Sequence, residues 1–247
     1  MTEPLVCYES SGHIVTVTMN RVARKNALNP ALVEELHQAW LRFRDSDDRV
    51  AILASADPEY FTVGADVREL PANMWHAVPG VGVEIGKPVI AATAGWVVGG
   101  GFVLVQMCDL CVAADNTKFY YPEAKLGVTS GVASSVTARL PHKIAMEFLL
   151  VGEVLPVQRA YDVGFVNKLV KLGEELAAAR DYAEKIAANA PLVVKTLKHL
   201  AEDTLPRGPL ERMLAVRRVM DVVANSEDRK EGVAAFKEGR KANFKGR

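Results

Sequence analysis

The sequence predicts an α/β core followed by a helical C-terminal region. Two patterns carry that expectation. In the first half, short apolar or β-branched runs alternate with stretches of helical periodicity. From about Gly131 onward helical periodicity dominates, punctuated by Pro156, Pro191 and Pro206. The chain has 247 residues, 49% hydrophobic and 24% charged, enough for one large domain with a sizeable core or a domain with an appendage.

Residues 13–20 (HIVTVTMN) alternate β-branched and other residues as a strand does. Asn29 and Pro30 then suit an N-cap and a first helical position, and Leu32, Leu36, Trp40 and Phe43 follow on one helical face. Residues 50–54, 88–93 and 110–114 are short apolar runs, the signature of strands covered on both faces. Further on, Leu176, Ala179, Ala183 and Ile186 form one helical stripe and residues 192–200 another. The charged stretch 226–247 reads as a solvated amphipathic helix with a frayed end.

Several classes of function are disfavoured. Lys plus Arg and Asp plus Glu are 30 each, so no bulk charge attracts nucleic acid or an anionic membrane, and no basic stripe is visible. No run approaches the ~18 apolar residues of a membrane span. The N-terminal stretch MTEPLVCYESSG lacks the features of a secretory signal, and the expected compartment is cytoplasmic. Cys108 and Cys111 have C-x-x-C spacing, but the surrounding MCDLCVAAD reads as a helix end entering a buried strand, so inert thiols are expected rather than a redox pair or a metal site. The five histidines are scattered without H-x-x-x-H spacing. The series Gly80, Gly82, Gly86 is one residue too long for G-x-G-x-x-G, and neither a G-K-[ST] loop nor a G-x-S-x-G elbow occurs.

Three glycine-containing stretches remain. Residues 61–67 (FTVGADV) follow a predicted strand and precede a predicted helix. Gly99, Gly100 and Gly101 open an apolar helix. Residues 121–127 (YPEAKLG) hold Glu123 and are followed by Gly131 at another predicted helix start. A helix start leaves backbone N–H groups unpaired, and glycine lets a ligand oxygen approach them. Two such starts facing one point would stabilise an oxyanion; alternatively, each is a tight turn and nothing more.

Taken together, these stretches resemble the crotonase, or enoyl-CoA hydratase/isomerase, family over nearly the whole chain. Arg24-Lys25-Asn26-Ala27-Leu28 is similar to the family's coenzyme A segment after the first strand. Residues 61–66 resemble its first oxyanion loop, and residues 94–115 its second oxyanion loop and following helix. Glu123 falls at the family's second catalytic glutamate, and residues 235–244 resemble its ending. The resemblance implies a crotonase-like ββα spiral core over residues 1–190 and a helical trimerisation region over 191–247. It implies a homotrimer or dimer of trimers acting on an acyl-CoA thioester, with coenzyme A as part of the substrate and no separate cofactor. The implied catalytic groups are Glu123 and the amides of Ala65 and Gly100. The implied substrate contacts are Lys25, Ala27, Leu28, Val63, Asp66, Val67, Gly99, Val103, Tyr121 and Gly131.

One departure bears on the reaction. The family's hydratases carry a first glutamate three residues after the middle glycine, and here that position is Val103. Valine neither holds water nor moves a proton, whereas two carboxylates suit water addition. A single carboxylate can carry a proton between two carbons, so the sequence leans toward double-bond isomerisation. Hydration by one glutamate, with or without cleavage, and a catalytically silent acyl-CoA-binding subunit are the rival readings. The segment 67–87, shorter than in many relatives and containing Trp75 and His76, is expected to line the acyl pocket, and Tyr120 or Tyr121 either faces that pocket or is an ordinary half-buried aromatic.

Overall fold

A computed structural model describes residues 3–129 and 132–247. Its elements in chain order are β1 (Val6–Ser11), β2 (Ile14–Met19), α1 (Pro30–Asp45), β3 (Val50–Ser55), β4 (Tyr60–Thr62), β5 (Val89–Thr93), β6 (Trp96–Val98), α2 (Gly100–Gln106), β7 (Leu110–Ala114), β8 (Lys118–Tyr120), α3 (Glu123–Leu126), α4 (His142–Val151), β9 (Leu155–Pro156), α5 (Val157–Asp162), β10 (Lys168–Val170), α6 (Glu175–Ala187), α7 (Pro191–Thr204), α8 (Pro209–Asn225) and α9 (Glu227–Glu238). Short 3-10 turns occupy Val22–Arg24, Met74–Ala77 and Val132–Ala138. The chain divides into two compact units at Gly208/Pro209, so α7 goes with the first.

The first unit is built on two sheets. One is six-stranded in the order β1-β2-β3-β5-β7-β10, the other four-stranded in the order β4-β6-β8-β9. Successive strand pairs are split between them: β3, β5 and β7 lie side by side and parallel in the larger sheet, while the strands that follow each, β4, β6 and β8, lie parallel in the smaller one. Repeating this ββ step winds the chain as a spiral and places the loops after β4, β6 and β8 at corresponding strand ends. The predicted α/β class and ββα spiral describe this arrangement.

Packing explains why these segments form these elements. Along β3, Val50, Ile52 and Ala54 face one way and join Ile14, Ile90, Ala92 and Val112 against Ala179, Ala183 and Ala187 of α6. Alanine at every fourth position lets that helix approach the sheet closely. In α1 the Asn29 side chain accepts the Leu32 N–H at 3.0 Å, and the Lys87 ammonium caps the other end by donating to the carbonyls of Phe43 and Ser46 at 2.7 and 2.6 Å. Around the smaller sheet, Phe102, Phe119, Tyr121, Phe148 and Phe165 pack with ring centroids 4.6–6.3 Å apart.

Two sequence expectations change. No α-helix follows Asp66; residues 67–73 are turns, a bend and irregular backbone. The Asp66 carboxylate accepts the Arg68 N–H at 3.0 Å in a local turn, and Pro71 disfavours helical backbone at Leu70. In the second unit the end of the chain is not frayed. Residues beyond α9 fold back along it: Asp228 accepts the N–H groups of Lys245 and Gly246 at 2.6 and 2.7 Å, and Arg240 pairs with Glu231. In that unit Met213, Val216, Val219, Met220 and Val223 of α8 are exposed. Among the described residues, no helix is long and apolar enough to cross a membrane.

Candidate active site

The loop after β2 sets the first wall. Lys25 and Asn26 both take left-handed backbone, with φ of 52° and 51°. The Asn26 side chain makes that turn worthwhile. Fully buried, it accepts the Arg21 N–H at 2.8 Å and donates to the Ser55 hydroxyl at 2.8 Å and to the carbonyls of Tyr60 and Phe61. The Thr62 hydroxyl donates to the Asn26 carbonyl at 2.6 Å and accepts the Gly64 N–H at 3.1 Å. Leu28 then bridges the extension of β4: its N–H donates to the Gly64 carbonyl and its carbonyl accepts the Asp66 N–H. In a parallel bridge of this kind the residue opposite, Ala65, turns its own N–H away from Leu28. The Ala65 amide is therefore available because of strand pairing, not because a helix begins there.

The three consecutive glycines each meet a different neighbour. A methyl group at Gly99 would stand 2.8 Å from Oε1 of Glu123. At Gly100 it would meet Sδ of Met74 at 3.0 Å and Cδ1 of Leu28 at 3.4 Å, and at Gly101 it would clash with the Thr62 methyl. Gly64 closes the circle, since a methyl group there would lie 2.8 Å from the Val98 carbonyl oxygen and 3.2 Å from the Gly100 nitrogen. The Ala65 loop, the Gly99–Gly100 backbone and the Glu123 carboxylate thus meet in one place. Gly100 is the first residue of α2, so its N–H has no acceptor within the helix.

Glu123 opens the one-turn helix α3 after Pro122. It is half-buried, and among the described residues its Oε2 is enclosed without a hydrogen-bond partner. Burial pushes its carboxyl up to about 7, opposed weakly by its own backbone N–H. No second carboxylate stands on α2 beside it: Val103, one turn along from Gly99, is buried and apolar.

The other expected contact residues are distributed more widely. Leu28 touches the Gly100 position. Ala27 is buried and gives its carbonyl to Arg21. Half-buried Val63 donates to the Lys25 carbonyl at 3.2 Å. Lys25 is exposed, with its ammonium 3.1 Å from the Tyr60 hydroxyl and over that ring. The Asp66 carboxylate is committed to Arg21 and Arg68, and Val67 is 84% exposed. Tyr121 is buried in the aromatic cluster, while half-buried Tyr120 meets Trp96 edge-on. Gly131 lies outside the described residues. Sequence reasoning missed Arg21 and Met74, which reach the site by contacts without any local motif.

Cys108 donates to the Leu104 carbonyl, and burial raises its thiol well above the ordinary range; burial pushes Cys111 up to about 12. Among the described residues no group of three or more His, Cys, Asp or Glu is placed to hold a metal ion.

The family profile described as Enoyl-CoA hydratase/isomerase matches residues 9–247. An (E)-benzylidenesuccinyl-CoA hydratase from Thauera aromatica is 35% identical over 257 residues, spanning 98% of this chain and 99% of that protein. A carnitinyl-CoA dehydratase from Proteus mirabilis is 33% identical, spanning 96% of each. Among solved structures, a carnitinyl-CoA hydratase from Mycobacterium avium superposes with a TM-score of 0.78 at 30% identity, covering 100% of both chains.

Proposed function

Because the chain belongs to the enoyl-CoA hydratase/isomerase (crotonase) family, we propose that it transforms an enoyl-CoA thioester with Glu123 as the one side chain that moves a proton. The amides of Ala65 and Gly100 receive the thioester oxygen. Removing a proton beside the thioester puts negative charge on that oxygen, and aimed amides lower the barrier; losing one such donor costs about 3 kcal/mol. Glu123 then returns the proton to another carbon of the same substrate, and the double bond moves.

The observation that carries this reading is the position of the Glu123 carboxylate against Gly99, with one oxygen unpartnered among the described residues and an aliphatic Val103 on the neighbouring helix. A carboxyl raised to about 7 suits a group that must both take and give a proton near neutrality. A second reading, addition or removal of water by Glu123 alone, is favoured by the named activities of the relatives, which are hydratases and dehydratases.

Supplying 2-enoyl-CoA and 3-enoyl-CoA separately in labelled water decides between them. Interconversion without oxygen label supports isomerisation, and label in a 3-hydroxyacyl product supports hydration. Glu123→Gln is expected to bind acyl-CoA and lose turnover. Full activity in that variant removes Glu123 from the mechanism, and absence of turnover on a broad acyl-CoA panel by the unaltered protein sinks both readings. The reading extends to assembly as a homotrimer or dimer of trimers, for which the exposed apolar residues of α8 offer a surface. A monomer in light scattering at micromolar concentration would overturn that part. Three free thiols are in keeping with a reducing, cytoplasmic setting.

A further inference from the structure

The Ala65 amide is aimed by its bridge to Leu28 and not by a helix start, so whatever holds that bridge together decides its direction. Arg21 stands at that point. Its Nη1 donates to the Ala27 carbonyl at 2.9 Å and to Oδ2 of Asp66 at 2.7 Å. Ala27 immediately precedes Leu28, and Asp66 immediately follows Ala65. One guanidinium nitrogen therefore ties together the two strands of the bridge on which Ala65 sits. Arg21 is itself held through its N–H by the buried Asn26 side chain, and the other Asp66 oxygen accepts the Arg68 N–H at 3.0 Å. The side chains of Arg21 and Asp66 are only 14% and 11% exposed, so the pair is shielded from water and salt.

We propose that Arg21 and Asp66 are positioning residues for the oxyanion site: their ion pair fixes the direction of the Ala65 amide. The inference rests on the function proposed above and deepens it. In this role each side chain acts through the backbone between Leu28 and Asp66. An oxyanion donor contributes through prior alignment, and a displacement of about 1 Å can cost about 100-fold in rate. The guanidinium also links the segment carrying Lys25, Ala27 and Leu28 to the catalytic loop, so displacement of one would be transmitted to the other.

Asp66→Asn and Arg21→Lys test the pair, with thermal midpoints recorded beside kinetics. The expected result is a fall in kcat of about 10- to 100-fold with KM changed less than about 3-fold. Two ligands separate alignment from general loosening: a saturated acyl-CoA, and a 3-oxoacyl-CoA whose enolate carries charge on the thioester oxygen. The variants are expected to keep affinity for the first within about 2-fold and to lose about 10-fold for the second. Unchanged kcat and unchanged enolate binding in Asp66→Asn, against an active unaltered protein, overturn the inference alone. Equal loss of both ligands, tracking a loss of folded protein, also overturns it, because the pair would then be merely structural. An unaltered protein that neither turns over enoyl-CoA nor binds the enolate removes the functional reading, and this inference with it.

Discussion

The Glu123 carboxylate rests on the backbone of Gly99, whose φ is 53° and whose missing methyl group would stand 2.8 Å from Oε1. Both facts demand glycine: the left-handed backbone disfavours any side chain, and the space is already filled by the carboxylate. Gly99→Ala should therefore swing Glu123 off the reacting carbon and lower kcat about 100-fold. Steady-state kinetics with a thermal melt checks this; an alanine variant with normal kcat would show that the contact is dispensable.

Glu123 also predicts how activity and stability depend on pH. If proton abstraction limits the rate, kcat/KM rises as pH passes through about 7, because only the ionised carboxylate accepts a proton. Stability runs the other way. The folded-state value lies above the ordinary 4.5, so the stabilising protonated form is fully present below 4.5 and is lost as pH climbs through about 7. Glu123→Gln should then be more stable than the parent at pH 8, and nearly equal at pH 4. Urea titrations at the two pH values measure the difference; a destabilised variant at pH 8 contradicts the burial argument.

Met74 stands where the Gly100 side chain would be, with Sδ at 3.0 Å and Cε at 3.3 Å from that position. Its segment hangs from α1 by two bonds: the Trp40 indole N–H donates to the Ala77 carbonyl at 2.7 Å, and the His37 ring nitrogen lies 3.3 Å from the His76 carbonyl. Met74→Ala should open the space beside Gly100 without releasing that wall. The expected outcome is a relative gain of about 10-fold in kcat/KM for branched or aryl acyl groups over a straight four-carbon chain. Equal ratios in parent and variant would place the acyl group elsewhere.

The C-x-x-C pair should be chemically silent. With Cys111 held up at about 12 by burial and Cys108 raised as well, thiolate is scarce at neutral pH. In the native protein at pH 8 alkylation should leave both residues unmodified for hours, while the unfolded chain reacts at all three cysteines. Peptide mapping by mass spectrometry reads this directly, and rapid native labelling of Cys111 would refute it.

Much of the larger sheet is legible in the sequence because β3, β5 and β7 are buried on both faces and so are written as unbroken apolar runs. The Asn29-Pro30 start of α1 is equally plain, since capping is a local property. The smaller sheet is not. β4, β6 and β8 have 3 residues each, too few for any periodicity, and their existence depends on register with one another. The expected helix after Asp66 failed for a related reason, because a carboxylate turn and a proline outweighed local propensity. At the site, the glycine stretches were visible because close backbone approach requires them. Arg21 was not, since its bond to Asp66 spans 45 residues and leaves no mark on either neighbourhood.

The interleaving of the two sheets has a consequence for how such a protein can change. Every circuit of the chain contributes one segment to the reaction centre and then departs through a connection of its own. A deletion in the stretch between Asp66 and β5 reshapes the surroundings of Gly100 from the Met74 side while the strands that lead to Gly100 and Glu123 keep their partners. One connection can thus be edited while the backbone of Gly99 and Gly100 and the carboxylate of Glu123 keep their places.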